Sequence, residues 1–249
     1  MPTFDPSSIP LSGSTLTPDY IRDTNKIVDA LREKLVEAVP LAGEANGFAR
    51  AASKIRIFTQ AHIRRCLEFV DAGYAEYLAG RNIVARTCTR ALLENIASFC
   101  DFADTVNPLV RSGDQEKVRE CLDKAVFGTR IDDIIAVHGQ GVVAKNILTQ
   151  IDKMNKRFPN YRDDYEHLSD FVHPNALGVV VHYGSACEGS VVFHDAGREE
   201  GAAIRGHLVS SFLLTFVLIA IEEMEAAIRE ALGKSTGAAA GIALQRKGW

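Results

Sequence analysis

Residues 159–177, PNYRDDYEHLSDFVHPNAL, hold many of the side chains in this chain that could do chemistry. An arginine, three aspartates, a glutamate, two histidines and a serine lie between two prolines. If neighbouring groups desolvate these side chains, their pKa values shift toward the ranges that binding and catalysis use. The segment is therefore where we look first for a polar site.

The spacing of this segment predicts a short helix over residues 161–172. Pro159 ends the preceding helix, Asn160 is a good N-cap, and Pro174 disfavours helical geometry in the residue before it. At about 100° per residue, the buried face consists of Tyr161, Tyr165, Leu168 and Val172, with Phe171 beside them. One polar flank carries Arg162, Glu166, Ser169 and His173, and the other carries Asp163, His167 and Asp170.

A counterpart to the first polar flank lies on the helix predicted at residues 83–104, which is apolar around most of its girth. The polar residues in one sector of that helix are Arg86, Arg90, Glu94 and Asp101. Arg90 can pair with Glu94 at i, i+4 spacing. If this sector faces Ser169 and His173, the result is either a ligand-binding or catalytic site, or a structural polar layer in which the groups satisfy one another.

YRDDYEH contains Arg162 and, five residues on, His167, and so resembles the R-x4-H motif of the HEPN superfamily of helical domains, which occur in bacterial toxin and defence proteins. The resemblance implies a homodimer whose cleft cleaves RNA without a metal. Arg162 would stabilise phosphate charge, His167 would act as general acid or base, and Asp163 would orient them. On one regular helix Arg162 and His167 diverge by about 140°. They converge if the helix begins after Arg162 or if two subunits share the site.

LSDFVHPN, together with RALLEN in the helix at 83–104, also resembles a set of uncharacterised bacterial helical proteins with an R-x3-E helix and a late S-x3-HP helix end. This second resemblance implies no activity. It favours Arg90, Glu94, Ser169 and His173 as ligand-binding or polar-layer residues.

Three histidines could act as metal ligands. His182 and His194 fall on two β-branched runs, 178–183 and 190–194, that predict a hairpin, and with His173 they could form a three-histidine site. No carboxylate spacing supports that site, so we predict no metal and no cofactor.

The surrounding elements predict a mainly α fold, a helical bundle of long antiparallel helices with one small β-hairpin, at about 178–195, before the last helix. We expect a flexible N-terminal arm at 1–16, one bundle domain at 17–232, and a loose tail at 233–249. Further helices are expected at 47–78, 114–127, 131–158 and 198–232, the third of them broken at the two glycines of residues 138–141.

Charge and hydropathy limit the partners. The net charge is -4 and the pI about 6.0, so RNA binding would need a local basic patch, and no DNA binding is expected. The most apolar run, residues 208–221, is shorter than the roughly 20 residues of a membrane span. With five dispersed cysteines and no signal sequence, the pattern predicts a cytoplasmic protein with no membrane association, and the HEPN resemblance implies that it is a homodimer. Two functions remain open: an RNA-cleaving or RNA-binding protein, and a non-enzymatic ligand-binding or protein-interaction module.

Overall fold

The computed structural model describes residues 3–10, 16–42, 47–139, 141, 143–194 and 200–245. Within these ranges the α-helices are α1 (Pro18–Glu33), α2 (Gly47–Leu78), α3 (Asn82–Ser112), α4 (Gln115–Phe127), α5 (Asp132–His138), α6 (Ile147–Arg157), α7 (Tyr161–Val172), α8 (Glu200–Phe212) and α9 (Leu214–Gln245). A 3₁₀ turn spans Pro6–Ser8, a π-helical turn spans Ala176–Val181, and strands β1 (Gly184–Cys187) and β2 (Ser190–Phe193) form an antiparallel hairpin. The predicted helical bundle with a hairpin before its final helical region is confirmed.

The chain divides into two compact units. The first consists of residues 1–35, 62–98 and 147–217, and the second of residues 36–61, 99–146 and 218–249. Both candidate polar sites lie in the first unit. Its buried apolar side chains include Ile21, Leu31, Ile63, Val70, Leu92, Ile96, Tyr161, Ile204 and Leu208.

The N-terminal segment packs over its described part, in contrast to the flexible arm expected at 1–16. Phe4 is wholly buried, and its backbone N–H and C=O both bond to the Asn25 side chain, at 2.8 and 2.9 Å. The Tyr74 hydroxyl accepts from the Asp5 N–H at 2.9 Å. A proline-rich composition suggested disorder, but a buried aromatic ring and an amide that pairs with both of its backbone groups hold the chain in place at Phe4.

Helix α7 has the predicted bounds, but its N-terminus is not capped as expected. Asn160 adopts a left-handed conformation with φ 73°, and its side chain makes no capping bond. Asparagine tolerates that conformation better than most residues, so it serves here as a turn residue. By contrast, the Asp114 side chain accepts a bond from Lys117 N–H and caps α4.

Two helices run further than expected. Helix α3 continues through Pro108 to Ser112, because Val106 and Val110 on either side of the proline are buried and packing outweighs the hydrogen bond that proline cannot donate. Helix α9 continues to Gln245, into the region where we expected a loose tail. The expected helix at 198–232 is divided at Leu213 into α8 and α9, and residues 198–199 lie outside the described ranges.

The break expected at residues 138–141 is confirmed and is wider than two glycines. Helix α5 ends at His138, Gly139 has φ 80°, and α6 begins at Ile147. A parallel bridge between Thr129 and Val143 occupies part of the interval.

The first strand of the hairpin begins later in the sequence than expected. Residues 178–181, assigned to a strand because they are β-branched, belong to the π-helical turn, and β1 begins at Gly184. Glycine is needed there, because a Cβ on Gly184 would lie 2.6 Å from the Val180 carbonyl oxygen. The Val180 carbonyl therefore lies close to the first residue of β1.

Among the described residues, Gly201–Lys234 is long and apolar enough to cross a membrane by length and composition. Its most apolar stretch is 56% buried within the fold, and Leu208, Leu214 and Val217 are wholly buried. The core helix of a globular protein gives the same signal. The absence of a membrane partner stays a prediction.

Candidate functional site

Three polar side chains from α3 and α7 meet around one phenol hydroxyl, and we call them the Tyr165 cluster: Arg90, Glu94 and Tyr165. Arg90 Nη2 donates to Tyr165 Oη at 3.1 Å, and Tyr165 Oη donates to Glu94 Oε1 at 2.9 Å. The ion pair between Arg90 Nη2 and Glu94 Oε1 measures 3.4 Å. The two charged side chains are 26% and 33% exposed, so the cluster lies at the boundary between core and solvent.

The register of α7 against α3 is fixed by a second tyrosine. Tyr161 lies one turn before Tyr165, is wholly buried, and donates its hydroxyl to the Leu93 carbonyl oxygen at 2.6 Å. Leu93 is buried, and in the sequence of α3 it stands between Arg90 and Glu94. This anchor holds the Tyr165 hydroxyl level with the arginine and the glutamate.

A second arginine of α3 packs against α7 one turn from the cluster. Arg86 is 3% exposed, and its Cζ lies 3.9 Å from the centroid of the Phe171 ring. Arg90 lies less closely over the Tyr165 ring, at 5.2 Å. Stacking of this kind stabilises a guanidinium while leaving its N–H groups in the ring-parallel plane able to donate.

Buried polar atoms without hydrogen-bond partners mark the same face of α3. Arg90 Nε and both amide atoms of Asn82 are buried and have no partner within the described part of the chain. Asn82, Arg86 and Arg90 follow at four-residue steps, so each is turned by only about 40° from the one before. Asn82 is 1% exposed. Buried polar groups are usually paired, and unpaired ones call for an explanation.

Ser169 and His173 lie further along α7 than the cluster. The Ser169 hydroxyl donates to the Tyr165 carbonyl at 2.8 Å, and the His173 N–H donates to the Ser169 carbonyl at 2.9 Å. The His173 side chain is exposed at the helix end. The structure therefore brings Arg90 and Glu94 together, places Ser169 one turn away through the main chain, and leaves His173 in solvent.

Tyr165 is the member that sequence reasoning missed, because its position on the helical wheel assigned it to the apolar face. That assignment is right for the ring, because only 4% of the surface of Tyr165 is exposed. A buried tyrosine hydroxyl usually finds a partner. Its spacing from Ser169 and the R-x3-E pattern of α3 could have pointed to it.

The three residues of the R-x4-H resemblance do not converge within one chain. Arg162 Nη1 binds Asp152 Oδ1 at 2.8 Å, and its Nε binds Glu166; the latter bond raises the pKa of Arg162. His167 and Asp163 are exposed. Helix α7 starts at Tyr161, before Arg162, so convergence by a later helix start does not occur. A site shared by two subunits stays a prediction.

His182 and His194 do not face each other across the hairpin. His182 precedes β1, is buried, and lies edge-on to the rings of Phe171 and Tyr183 at 6.3 and 4.6 Å. The exposed His194 bonds through Nε2 to the Ser185 hydroxyl at 2.7 Å. Over the described residues, no three His, Cys, Asp or Glu side chains group as a metal site would require.

The arrangement can recognise an acceptor. Arg90 Nη2 contacts Tyr165 and Glu94, whereas Arg90 Nε has a hydrogen that it does not donate to any described residue. No family model, curated protein or solved structure matches the chain, so its function has to be argued from this geometry.

Proposed function

We propose that the protein is a non-enzymatic binding protein that takes an oxyanion-bearing ligand at the Tyr165 cluster. The observation that carries the proposal is the buried Arg90 Nε, which has no hydrogen-bond partner among the described residues. Leaving a buried charged donor unpaired costs free energy, and a ligand acceptor would recover that cost. Oxyanions suit this position because a charged N–H donor makes its stronger hydrogen bonds to the oxygens of carboxylate and phosphate.

The cluster is organised before any ligand arrives. Tyr165 holds Arg90 through a hydrogen bond, and Glu94 holds it through an ion pair, so the guanidinium keeps one orientation. Binding then costs little side-chain entropy. Glu94 also offsets the charge of Arg90, which favours a ligand recognised by geometry over one attracted by a strong positive field.

Binding is better supported than catalysis. General acid–base chemistry near neutral pH usually employs a histidine within reach of the reacting group. His167, to which the HEPN resemblance gives that role, is exposed, and so is His173. Arg162, proposed to stabilise phosphate, already binds the carboxylates of Asp152 and Glu166.

RNA remains among the candidate ligands, because its phosphates are oxyanions and the HEPN resemblance points to it. The test is a thermal-unfolding panel with inorganic phosphate, a nucleoside monophosphate, a dicarboxylate and a short single-stranded RNA. A ligand that binds only the folded protein raises Tm in proportion to its saturation. We expect at least one probe to raise the Tm of the wild type.

The matched variant is Arg90→Lys, which keeps the charge beside Glu94 and removes Nε–H. It should lose the ligand-induced shift, whereas Arg22→Lys, at an exposed ion pair with Asp19, should keep it. The proposal fails if no probe raises Tm at millimolar concentration, or if Arg90→Lys responds as the wild type does. A shift by RNA alone would select a nucleic-acid ligand, and a shift by free phosphate a small one.

A further inference from the structure

The hairpin and the π-helical turn before it expose several large apolar side chains, which together we call the valine surface. Its members are Val179, Val180, Val181, Val191, Val192 and Phe193. Phe193 is 65% exposed, and all four residues of β2 are exposed. Successive side chains of a strand point to opposite faces, so Val191 and Phe193 lie on one face of the hairpin and Val192 lies on the other.

Strand β2 also exposes a backbone edge. Over the described residues the sheet has two strands, so β2 pairs with β1 on one side only. The His194 N–H donates to the Tyr183 carbonyl at 2.9 Å, which makes 183 and 194 a hydrogen-bonded pair. Hydrogen-bonded and non-hydrogen-bonded pairs alternate in antiparallel ladders. The backbone groups of Ser190 and Val192 therefore face β1, and those of Val191 and Phe193 face outward.

We propose that this edge pairs with β2 of a second copy of the chain, in an antiparallel arrangement about a twofold axis through Val192. In this register Val192 faces its own copy, and Val191 of each chain exchanges hydrogen bonds with Phe193 of the other. All three opposed pairs are then apolar. A register shifted by two residues, with Val191 on the axis, would set Ser190 against Val192 and Phe193 against Gly189, so cross-strand packing favours the first.

The absence of charged residues on β2 also favours pairing with a second copy of the chain. Strand β2 has no charged residue, so pairing with its own copy buries no charge. Residues 173–194 contain no lysine or arginine, whereas surfaces that bind anionic lipid or nucleic acid are rich in both. Natural edge strands usually carry charges or prolines that prevent pairing, and β2 has neither.

The interface is small, so we expect a weak dimer. A stable interface commonly buries about 1,200–2,000 Å² in total, more than a hairpin edge and six side chains supply. The monomer–dimer equilibrium should therefore depend on concentration in the micromolar range.

Site-specific crosslinking tests the register. Cys187 is exposed and is first replaced by serine. V192C should then oxidise to a covalent dimer, because residues in a non-hydrogen-bonded pair lie about 4.5 Å apart between Cα atoms, within disulfide range. V191C is the matched control. In the proposed register residue 191 of one chain faces residue 193 of the other, so the Cα atoms of the two introduced cysteines would lie roughly 8 Å apart. They should therefore crosslink far more slowly.

Sedimentation of the full chain over a concentration series tests the interface itself. Val191→Pro removes an outward N–H and leaves the bonds to β1 intact, and Val192→Lys sets like charges on the axis. Both variants should be monomeric at concentrations where the wild type dimerises. The proposal is overturned if the wild type stays monomeric, if both variants still dimerise, or if V191C and V192C crosslink equally. Binding of wild type to neutral lipid vesicles without self-association would assign the patch to a membrane and would also overturn it.

Discussion

The Tyr165 hydroxyl donates to Glu94 Oε1 at 2.9 Å and accepts from Arg90 Nη2 at 3.1 Å, so one phenol on α7 organises two charged residues on α3. A tyrosine hydroxyl has one hydrogen, and the carboxylate can only accept it. The direction of both bonds is therefore fixed. Arg90 is left with Nε as its buried unpaired donor within the described part of the chain.

Removing this hydroxyl should loosen the cluster without emptying the core. Tyr165→Phe keeps the ring that lies beneath Arg90 and loses two hydrogen bonds. We expect a loss of about 1–2 kcal/mol in the free energy of unfolding, measured by urea denaturation, and weaker ligand-induced stabilisation. Ser169→Ala is the control, because its hydroxyl returns to the carbonyl one turn earlier and should contribute little. Equal losses in the two variants would contradict a special role for the phenol.

The buried ring of His207 leaves no room for a methyl group on Gly73. Its Nε2 donates to the Val70 carbonyl at 2.9 Å, and its Nδ1 lies 2.8 Å from the Thr89 hydroxyl. A Cβ on Gly73 would lie 2.3 Å from His207 Cε1. Gly73→Ala should therefore lower Tm by many degrees, whereas Gly206→Ala, with nothing within 4 Å of its added Cβ, should be neutral or stabilising.

His207→Ala in the Gly73→Ala background makes the cause of this loss testable. The smaller side chain removes the overlap, so the double variant should be less destabilised than the sum of the two single changes. Additive losses in a thermal-unfolding cycle would show that the ring contact is not the reason.

The same histidine predicts how stability depends on pH. Burial lowers the pKa of His207 to about 4 and, with a smaller effect of Arg65, that of His62 to about 4, from 6.5. The unfolded chain then binds protons that the folded chain does not between pH 6.5 and 4. The free energy of unfolding falls as pH drops through that window, by up to about 1.4 kcal/mol per pH unit for each histidine.

His207→Phe checks this assignment, because it keeps a ring in the same place and cannot be protonated. The variant should be less stable at pH 7, since two hydrogen bonds are lost, but its stability should fall less steeply between pH 6.5 and 5. Denaturation curves at several pH values measure the slope. An unchanged slope would exclude His207 as a source of the dependence.

Arg162 and His167 give a direct comparison of the two functional hypotheses. If the HEPN-like nuclease hypothesis holds, purified protein cleaves RNA in EDTA, and Arg162→Ala and His167→Ala each abolish cleavage. Our proposal predicts no cleavage and only a small loss of stability from Arg162→Ala, whose partners Asp152 and Glu166 are largely exposed. Metal-independent cleavage that either variant removes would replace the binding proposal with catalysis.

Local patterns in the sequence were sufficient for the elements around the site. Two prolines and the apolar spacing gave the bounds of α7, and the i, i+4 spacing gave the pair of Arg90 and Glu94. Such signals act within one helix, so they survive packing. The strand expected over residues 178–183 was wrong because β-propensity depends on packing context, and residues 178–181 belong to a π-helical turn instead.

Contacts between distant segments could not be read from the sequence. The hydroxyl of Tyr165 meets Glu94, 71 residues away, and the ring of His207 lies against Gly73. Phe4 is likewise held by Asn25, in a segment whose composition suggested disorder. Each contact depends on helix register and on the direction of one side chain, which periodicity leaves undetermined.

The most direct test of the central proposal observes the Arg90 Nε–H group itself by nitrogen–proton NMR, with the signal assigned by its loss in Arg90→Lys. During titration with inorganic phosphate, and separately with a short RNA, we expect this signal to move to saturation with one of them and its exchange with water to slow. The Arg22 Nε–H signal should stay in place. An Arg90 signal that neither moves nor slows with either probe at millimolar concentration would contradict the account.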